Sequence, residues 1–400
     1  MKTASTRPPS PAAVDRRNIA LLLDLLALPG PSGGEQAVAE FLVEQLRQAG
    51  LPATAVTIDQ AHKRSPLGGN TGNLAVRLPG PLRAPRRMLT AHMDTVPLCA
   101  GARPVRKGRR IHSADAGTAL GGDDRAGCAV LLATALALME QRLPHPPLVF
   151  LWTVQEEAGL HGARNVRLPM LGRPALAFNW DGGPANRLTI GATGGYRMNI
   201  VVHGVASHAG VHPERGVSAV AVASLAIADL VKNGWHGLIE KGRRRGTSNV
   251  GVIHGGAATN VVTDRVELKA EARSHDAPFR QRITREIEQA FANAAGQVRN
   301  EAGLAGGVEI DGRLDYESFR LDRAEPCVEA AAAAVSGEGL EVDYAIANGG
   351  LDANWLTHNG IPTVTLGCGQ NAIHTVDEWL DLDEFTAACR VALRIATDLG

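Results

Sequence analysis

The sequence predicts an α/β fold: a mixed, mainly parallel sheet with helices on both faces, interrupted by a smaller ferredoxin-like α+β domain. Three observations predict it. The 400 residues exceed the length at which one hydrophobic core usually keeps growing, which favours two domains. Apolar runs of strand length alternate with longer helical patterns toward both ends of the chain, as in sheets covered by helices. Between about 192 and 319 the order changes to strand, helix, strand, strand, helix, strand, the ferredoxin-like arrangement.

Residues 1–12, "MKTASTRPPSPA", are rich in proline and small polar residues, a composition expected to be disordered. Helical patterns follow at about 13–27 and 34–49, broken by "PGPSGG". Next come the strands "NLAVRL" and "RMLTAHMD", the helix "RAGCAVLLATALALMEQ", and the strands "PLVFLWTV" and "ALAFNWD". The inserted segment reads "YRMNIVVHG", "SAVAVASLAIADLVK", "SNVGVIHGG", "DRVELKAEARS", "APFRQRITREIEQAFANAAGQ" and "GVEIDGRL". Beyond it, the alanines at 330–334 suit a helix, "IPTVTLGCG" a buried strand and "DEFTAACRVALRIATDL" a closing helix. The expected domains are therefore 13–191 with 320–400, and 192–319.

Composition narrows the partners. Lysine plus arginine (41) balance aspartate plus glutamate (41), so no net field exists to hold nucleic acid or an anionic membrane. A small, roughly neutral substrate is expected. The run "IALLLDLLAL" contains Asp24 and is shorter than the ~20 residues of a membrane span, so it reads as an amphipathic helix. No pattern of a secretory signal is expected near the start. Five scattered cysteines without a C-x-x-C pair suit reduced thiols packed as small hydrophobes in a cytoplasm.

The candidate chemistry starts at "FLWTVQEEAGLHGA", where a buried strand runs into two acids, Glu156 and Glu157. At the tip of a core strand each acid must find a cation, a donor or a proton. "LTAHMDTVP" sets His92 and Asp94 two apart, so the carboxylate can orient the imidazole. "LGGDDRAG" brings Asp123 and Asp124, "NWDGG" brings Asp181 and "AIHTVDEW" brings His374. In open α/β sheets, sites gather at the carboxyl ends of strands.

Two histidines and three carboxylates without thiolate suit a pair of zinc ions, one carboxylate bridging, better than one closed structural zinc. Two ions about 3.5 to 4 Å apart can hold one hydroxide and polarise a carbonyl. Glu157 can then be a ligand while Glu156, free of metal, moves the proton from water to the leaving nitrogen. For that the backbone must turn at the pair, as Ala158 and Gly159 permit. Each residue alone has a plainer reading. "EE" can be a solvated pair, Asp124 equally a helix cap, Asp352 in "GGLDAN" a cap or a site-lining acid, and His374 a loop histidine. His112, His161, His203, His212 and His254 receive no role.

"HMDTVP", "GGDDRAG", "QEEAGLHGA", "WDGG", "SHAGVHPERGVSA", "GGAATNVV", "GGLDAN" and "IHTVDEW" resemble, in order and spacing over roughly 20–398, the di-zinc exopeptidases and deacylases that include peptidase T, glutamate carboxypeptidase and aminoacylase. The resemblance implies the zinc-exopeptidase type of α/β fold, with His92 and Asp181 on one zinc, Glu157 and His374 on the other, and Asp123 bridging. It implies that Asp94 orients His92 and that Glu156 is the base. Cobalt or manganese could substitute. It further implies that the inserted domain is a lid and dimerisation surface, so a homodimer is expected, with His208, Asn260 and Arg273 reaching the substrate. An imidazole there would stabilise an oxyanion, and an arginine and an amide would grip a carboxylate.

The segments look closest to peptidase T-like di- and tripeptidases, departing from them with Arg125 for lysine and with "GGLDAN". The expected function is a metal-dependent exopeptidase hydrolysing a terminal bond of small peptides by a metal-bound hydroxide, in the manner of a tripeptide aminopeptidase. The alternatives are an N-acyl amino acid deacylase or carboxypeptidase with the same di-zinc site, and an inactive binding protein on the scaffold.

Overall fold

The computed structural model describes residues 11–397. The expected disordered start lies outside the described residues except for Pro11 and Ala12, which instead open the helix Pro11–Leu26. Among the described residues no helix is long and apolar enough to cross a membrane. The chain divides into two compact units. One runs to Gly191 and resumes over Arg320–Ala347 and from Leu351; the other is Ala192–Phe319 with Asn348–Gly350.

The first unit is built on a nine-stranded sheet. From one edge its order is Val56–Ile58, Leu74–Leu78, Leu148–Thr153, Arg87–His92, Leu176–Trp180, Thr363–Leu366, Arg187–Ala192 and Phe319–Arg320, and the ninth strand, Asp343–Ala347, pairs with Arg187–Ala192. The four strands from Leu148–Thr153 to Thr363–Leu366 run parallel, and antiparallel strands flank them. Parallel strands covered on both faces read as continuous apolar runs, and every residue of "LVFLWT" is buried.

On one face Phe150 and Trp152 stack with ring centroids 6.0 Å apart, and Trp152 Nε1 donates to the Cys128 carbonyl of the helix Gly122–Glu140. That helix is buried from Gly122 to Leu138, which is why its sequence is apolar all round. On the other face Met88, Val149, Leu151 and Ala177 pack with Ala163 and Leu356, from the short helices His161–Arg164 and Asp352–His358. The mixed sheet with helices on both faces is thus the fold class that the alternation of patterns predicts.

A four-stranded antiparallel sheet of Gln370–Asn371, Trp379–Asp381, Arg110–Ser113 and Pro104–Lys107 also forms, unanticipated because its strands are too short to show a period. It positions the site, since His374 lies in the loop of its hairpin Gln370–Asn371/Trp379–Asp381.

The second unit carries a five-stranded antiparallel sheet in the order Gly237–Lys241, Arg244–Gly255, Arg265–Ser274, Gly194–His203 and Gly307–Tyr316. Helices Ala219–Lys232 and Ala277–Gln297 cover one face, where Ile200, Val202 and Leu268 meet Val222, Ile283 and Phe291. Their starts are capped by Ser218, which accepts from the Ala221 amide, and by Asp276, which accepts from the Phe279 amide. Burial alternates strictly along most of Arg265–Ser274, so one face is core and the other carries charge. The order is ferredoxin-like, with Gly237–Lys241 added as an edge hairpin.

Candidate active site

Five chain segments deliver the first unit's polar cluster. His92 ends the strand Arg87–His92, Asp181 directly follows Leu176–Trp180, and His374 sits on the short hairpin. Asp123 follows no strand of the large sheet. It lies in the non-helical first turn of Gly122–Glu140, beside Asp124, to which it is joined by a cis peptide bond. Glu156 and Glu157 stand beyond Leu148–Thr153.

The backbone turns ahead of the acid pair. Gln155 adopts φ 55°, and Gly159 adopts φ 121° behind the pair, so the expected turn at Ala158 and Gly159 is only the second of two. Glu35, a buried acid with no sequence signal, fixes the first by accepting from the Gln155 amide at 3.0 Å and from the Gly33 amide at 2.8 Å. Asp94 fixes the pair itself. One of its oxygens accepts from the Glu156 amide at 2.9 Å, and the other from the Glu157 amide at 3.1 Å and the Ser32 hydroxyl at 2.6 Å. Asp94 Oδ1 also lies 3.4 Å from His92 Nδ1, which is nearer, at 3.1 Å, to the Asp94 carbonyl, so Asp94 contacts the imidazole and the acid turn alike.

The two oxygens of Asp123 face different histidines. Oδ1 is 3.2 Å from His92 Nε2, and Oδ2 is 3.2 Å from His374 Nε2, which is also 2.9 Å from Glu157 Oε1. Two groups of donor atoms result, His92 with Asp123 and Asp181, and Asp123 with Glu157 and His374. Within each, the donor atoms lie within 4.8 Å of one another. The donor set fits two divalent cations sharing one carboxylate: imidazole nitrogen and carboxylate oxygen in each group, no thiolate, and more buried acid than base. Glu156 belongs to neither group.

The electrostatics agree with that fit. Burial raises Glu156 and Asp181 well above the ordinary carboxylate range, and neighbouring acids add to it. Burial also raises Asp123, but the hydrogen-bonded His374 and His92 hold it below that range. Hydrogen bonds to Asp123 and Glu157 raise His374 to about 10. Bound cations would replace those protons.

Asp124 does cap its helix, accepting from the Gly127 amide at 3.0 Å, and it also accepts from the His92 amide at 3.0 Å and from Gln370 Nε2 at 2.9 Å. Asp352, buried, accepts from the Thr153 hydroxyl. Glu378, unanticipated, is the clamp of the Asp123 loop. Its carboxylate accepts from the Leu120 and Gly121 amides, both at 2.8 Å, and from the Asp123 amide at 3.1 Å.

His208, Asn260 and Arg273 lie in the second unit. Ser207–His208 pairs with Val261–Val262, and the Asn260 carbonyl accepts from the Ala209 amide at 3.0 Å, so these two residues are neighbours. Arg273 stands on Arg265–Ser274, its guanidinium engaged by both oxygens of Glu271 at 2.9 Å.

The model of peptidase family M20/M25/M40 matches residues 88–398. A tripeptidase from Staphylococcus aureus superposes with a TM-score of 0.84 at 30% identity, covering 96% of this chain and 98% of that one. Aminopeptidase PepT from Bacillus cereus gives 0.82 at 29% identity, with coverage of 96% and 98%. Peptidase T of Vibrio cholerae is 24% identical over 91% of each chain.

Proposed function

The chain belongs to peptidase family M20/M25/M40 and is a metal-dependent exopeptidase of small peptides close to peptidase T; from that premise we propose that it removes the N-terminal residue of tripeptides, using two zinc ions. His92 and Asp181 would hold one ion, His374 and Glu157 the other, and Asp123 both. When bound, such a pair polarises the scissile carbonyl and acidifies water. The single observation supporting this arrangement is the carboxylate of Asp123, each oxygen turned to a different histidine.

Glu156 is the proton carrier. It stands beside the ligand groups without belonging to them, on a turn fixed by Asp94, and burial favours its protonated form. It takes a proton from the attacking water and passes it to the departing amine, holding it in between. Asp94 keeps His92 and the acid turn in register. His208 and Asn260, side by side, and Arg273 are the groups of the second unit assigned to the substrate.

We further assign a homodimer through the second unit. Val220, Leu225 and Val231 are exposed on one helix, Val252 and Ile253 on the strand Arg244–Gly255, and the edge hairpin pairs with that strand only as far as Ser248. A cytoplasmic location accords with five unpaired cysteines.

The test is hydrolysis of free, N-acetylated and C-amidated di- and tripeptides with added zinc, cobalt or manganese. Free tripeptides should release their first residue and N-acetylation should block cleavage. Preferential cleavage of N-acyl amino acids would replace this reading with a deacylase.

A further inference from the structure

Arg125 is 2% exposed, and its Nη2 donates to the Gly30 carbonyl at 3.3 Å. Its Nε and Nη1 find no acceptor among the described residues. A Cβ at Gly30 would lie 2.4 Å from Nη2, so a side chain there would displace the guanidinium from this position. A guanidinium offers five N–H donors and stays charged at any working pH, so burial cannot silence it by deprotonation. Of the carboxylates whose charge reaches it, Asp94 has both oxygens engaged by other donors, and Glu35 has Oε1 engaged while its buried Oε2 meets no donor among the described residues, Arg125 included. Asp94 accepts from Ser32, Glu156 and Glu157, and Glu35 from Gly33 and Gln155.

Beside the guanidinium is a cavity of about 100 Å³. Arg125 is the charged residue of its lining, which otherwise includes Leu26, Leu120, Gly121, Thr95 and Cys99. Burial pushes the Cys99 thiol up to about 12, so it adds no negative charge. Thr95 Oγ1 already donates to the Gly30 carbonyl at 3.4 Å. The polar side chains of this lining are Thr95, Cys99 and the cation itself.

We propose that this cavity is a binding site for one small monovalent anion, a halide or a formate-sized carboxylate, held by Nε and Nη1 of Arg125. The volume matches roughly three waters at ~30 Å³ each and is too small for a peptide. Charge complementarity supplies what the apolar walls cannot. Thr95 follows Asp94 and Gly121 precedes Asp123, so the bound anion steadies two segments that carry the site.

Crystals of the zinc-loaded full chain soaked in bromide should show an anomalous peak within hydrogen-bond reach of Arg125 Nε or Nη1. In solution, chloride or formate added at matched ionic strength to protein in gluconate should raise the melting temperature by a few degrees and saturate. The anion that saturates first distinguishes halide from carboxylate. Arg125→Met should abolish the saturable rise, and should that variant fail to fold, Arg125→Lys should shift its midpoint at least ~3-fold upward, having fewer donors. A pocket holding only water after the soak, or a rise that persists unchanged in the variant that folds, overturns the proposal. A bromide peak with no saturable rise marks an adventitious ion only, and overturns it equally.

Discussion

At the carboxyl end of the nine-stranded sheet, Asp123, Glu156, Glu157 and Asp181 crowd together with two histidines between them, whereas on the charged face of the five-stranded sheet several acids are paired with arginines. There Arg273 meets Glu271, Arg265 meets Glu267 and Arg197 meets Asp315. The first arrangement raises the proton affinity of Glu156, Glu157 and Asp181 and makes physical sense with cations added. The second holds pairs already formed. Unbalanced buried charge therefore marks where a ligand belongs, and balanced charge marks a surface that holds its strands in register.

The largest expected effect sharpens the first half of that contrast. Glu156→Gln should lower kcat by ~10²- to 10⁴-fold while two metal ions per chain are retained by elemental analysis. Loss of an ion together with activity would make Glu156 a ligand and collapse the division of labour between the neighbouring acids.

Glu378→Gln comes next. It touches no ligand atom of the cluster yet clamps the Asp123 loop, so metal affinity measured by chelator competition should weaken ~10- to 100-fold. Unchanged affinity would show that the loop keeps its shape unaided.

A smaller effect follows from His374. In the metal-free chain its pKa is raised from 6.5 to about 10, so its protonated form stabilises the fold fully below pH 6.5, and that contribution fades as pH rises through about 10. The same proton must leave before an ion can bind. Zinc affinity, followed by calorimetric titration, should therefore climb across this window while metal-free stability declines, and a flat affinity profile would remove His374 from the ligand set.

The smallest effect tests the other sheet. Arg265→Ala breaks an exposed pair with Glu267 and should cost ~0–1 kcal/mol in denaturant unfolding. A markedly larger cost would mean that the paired face is less self-sufficient than its pairing implies.

The sequence exposes those parts of the molecule whose signal is local. Buried parallel strands are apolar throughout, so "LVFLWT" and "RMLTAH" stand out, and acids or histidines just past such runs stand out with them. The supporting groups do not. Glu378 acts on amides about 255 residues earlier, and Glu35 on an amide 120 residues later, and no window of sequence contains such a pairing. The left-handed Gln155 is similarly silent, since no glycine announces the bend. Gly237–Lys241 escapes notice because only one of its residues is buried, and the hairpin around His374 because its strands are two and three residues long.

Asp94 links Ser32, His92 and the backbone of both glutamates through one carboxylate. Its replacement would disturb three segments at once, so a crippled Asp94 variant says little about imidazole tautomers by themselves. Apportioning that phenotype requires paired substitutions with Ser32 and His92, whose side chains Asp94 touches and whose combined defects should fall well short of the product of the individual ones.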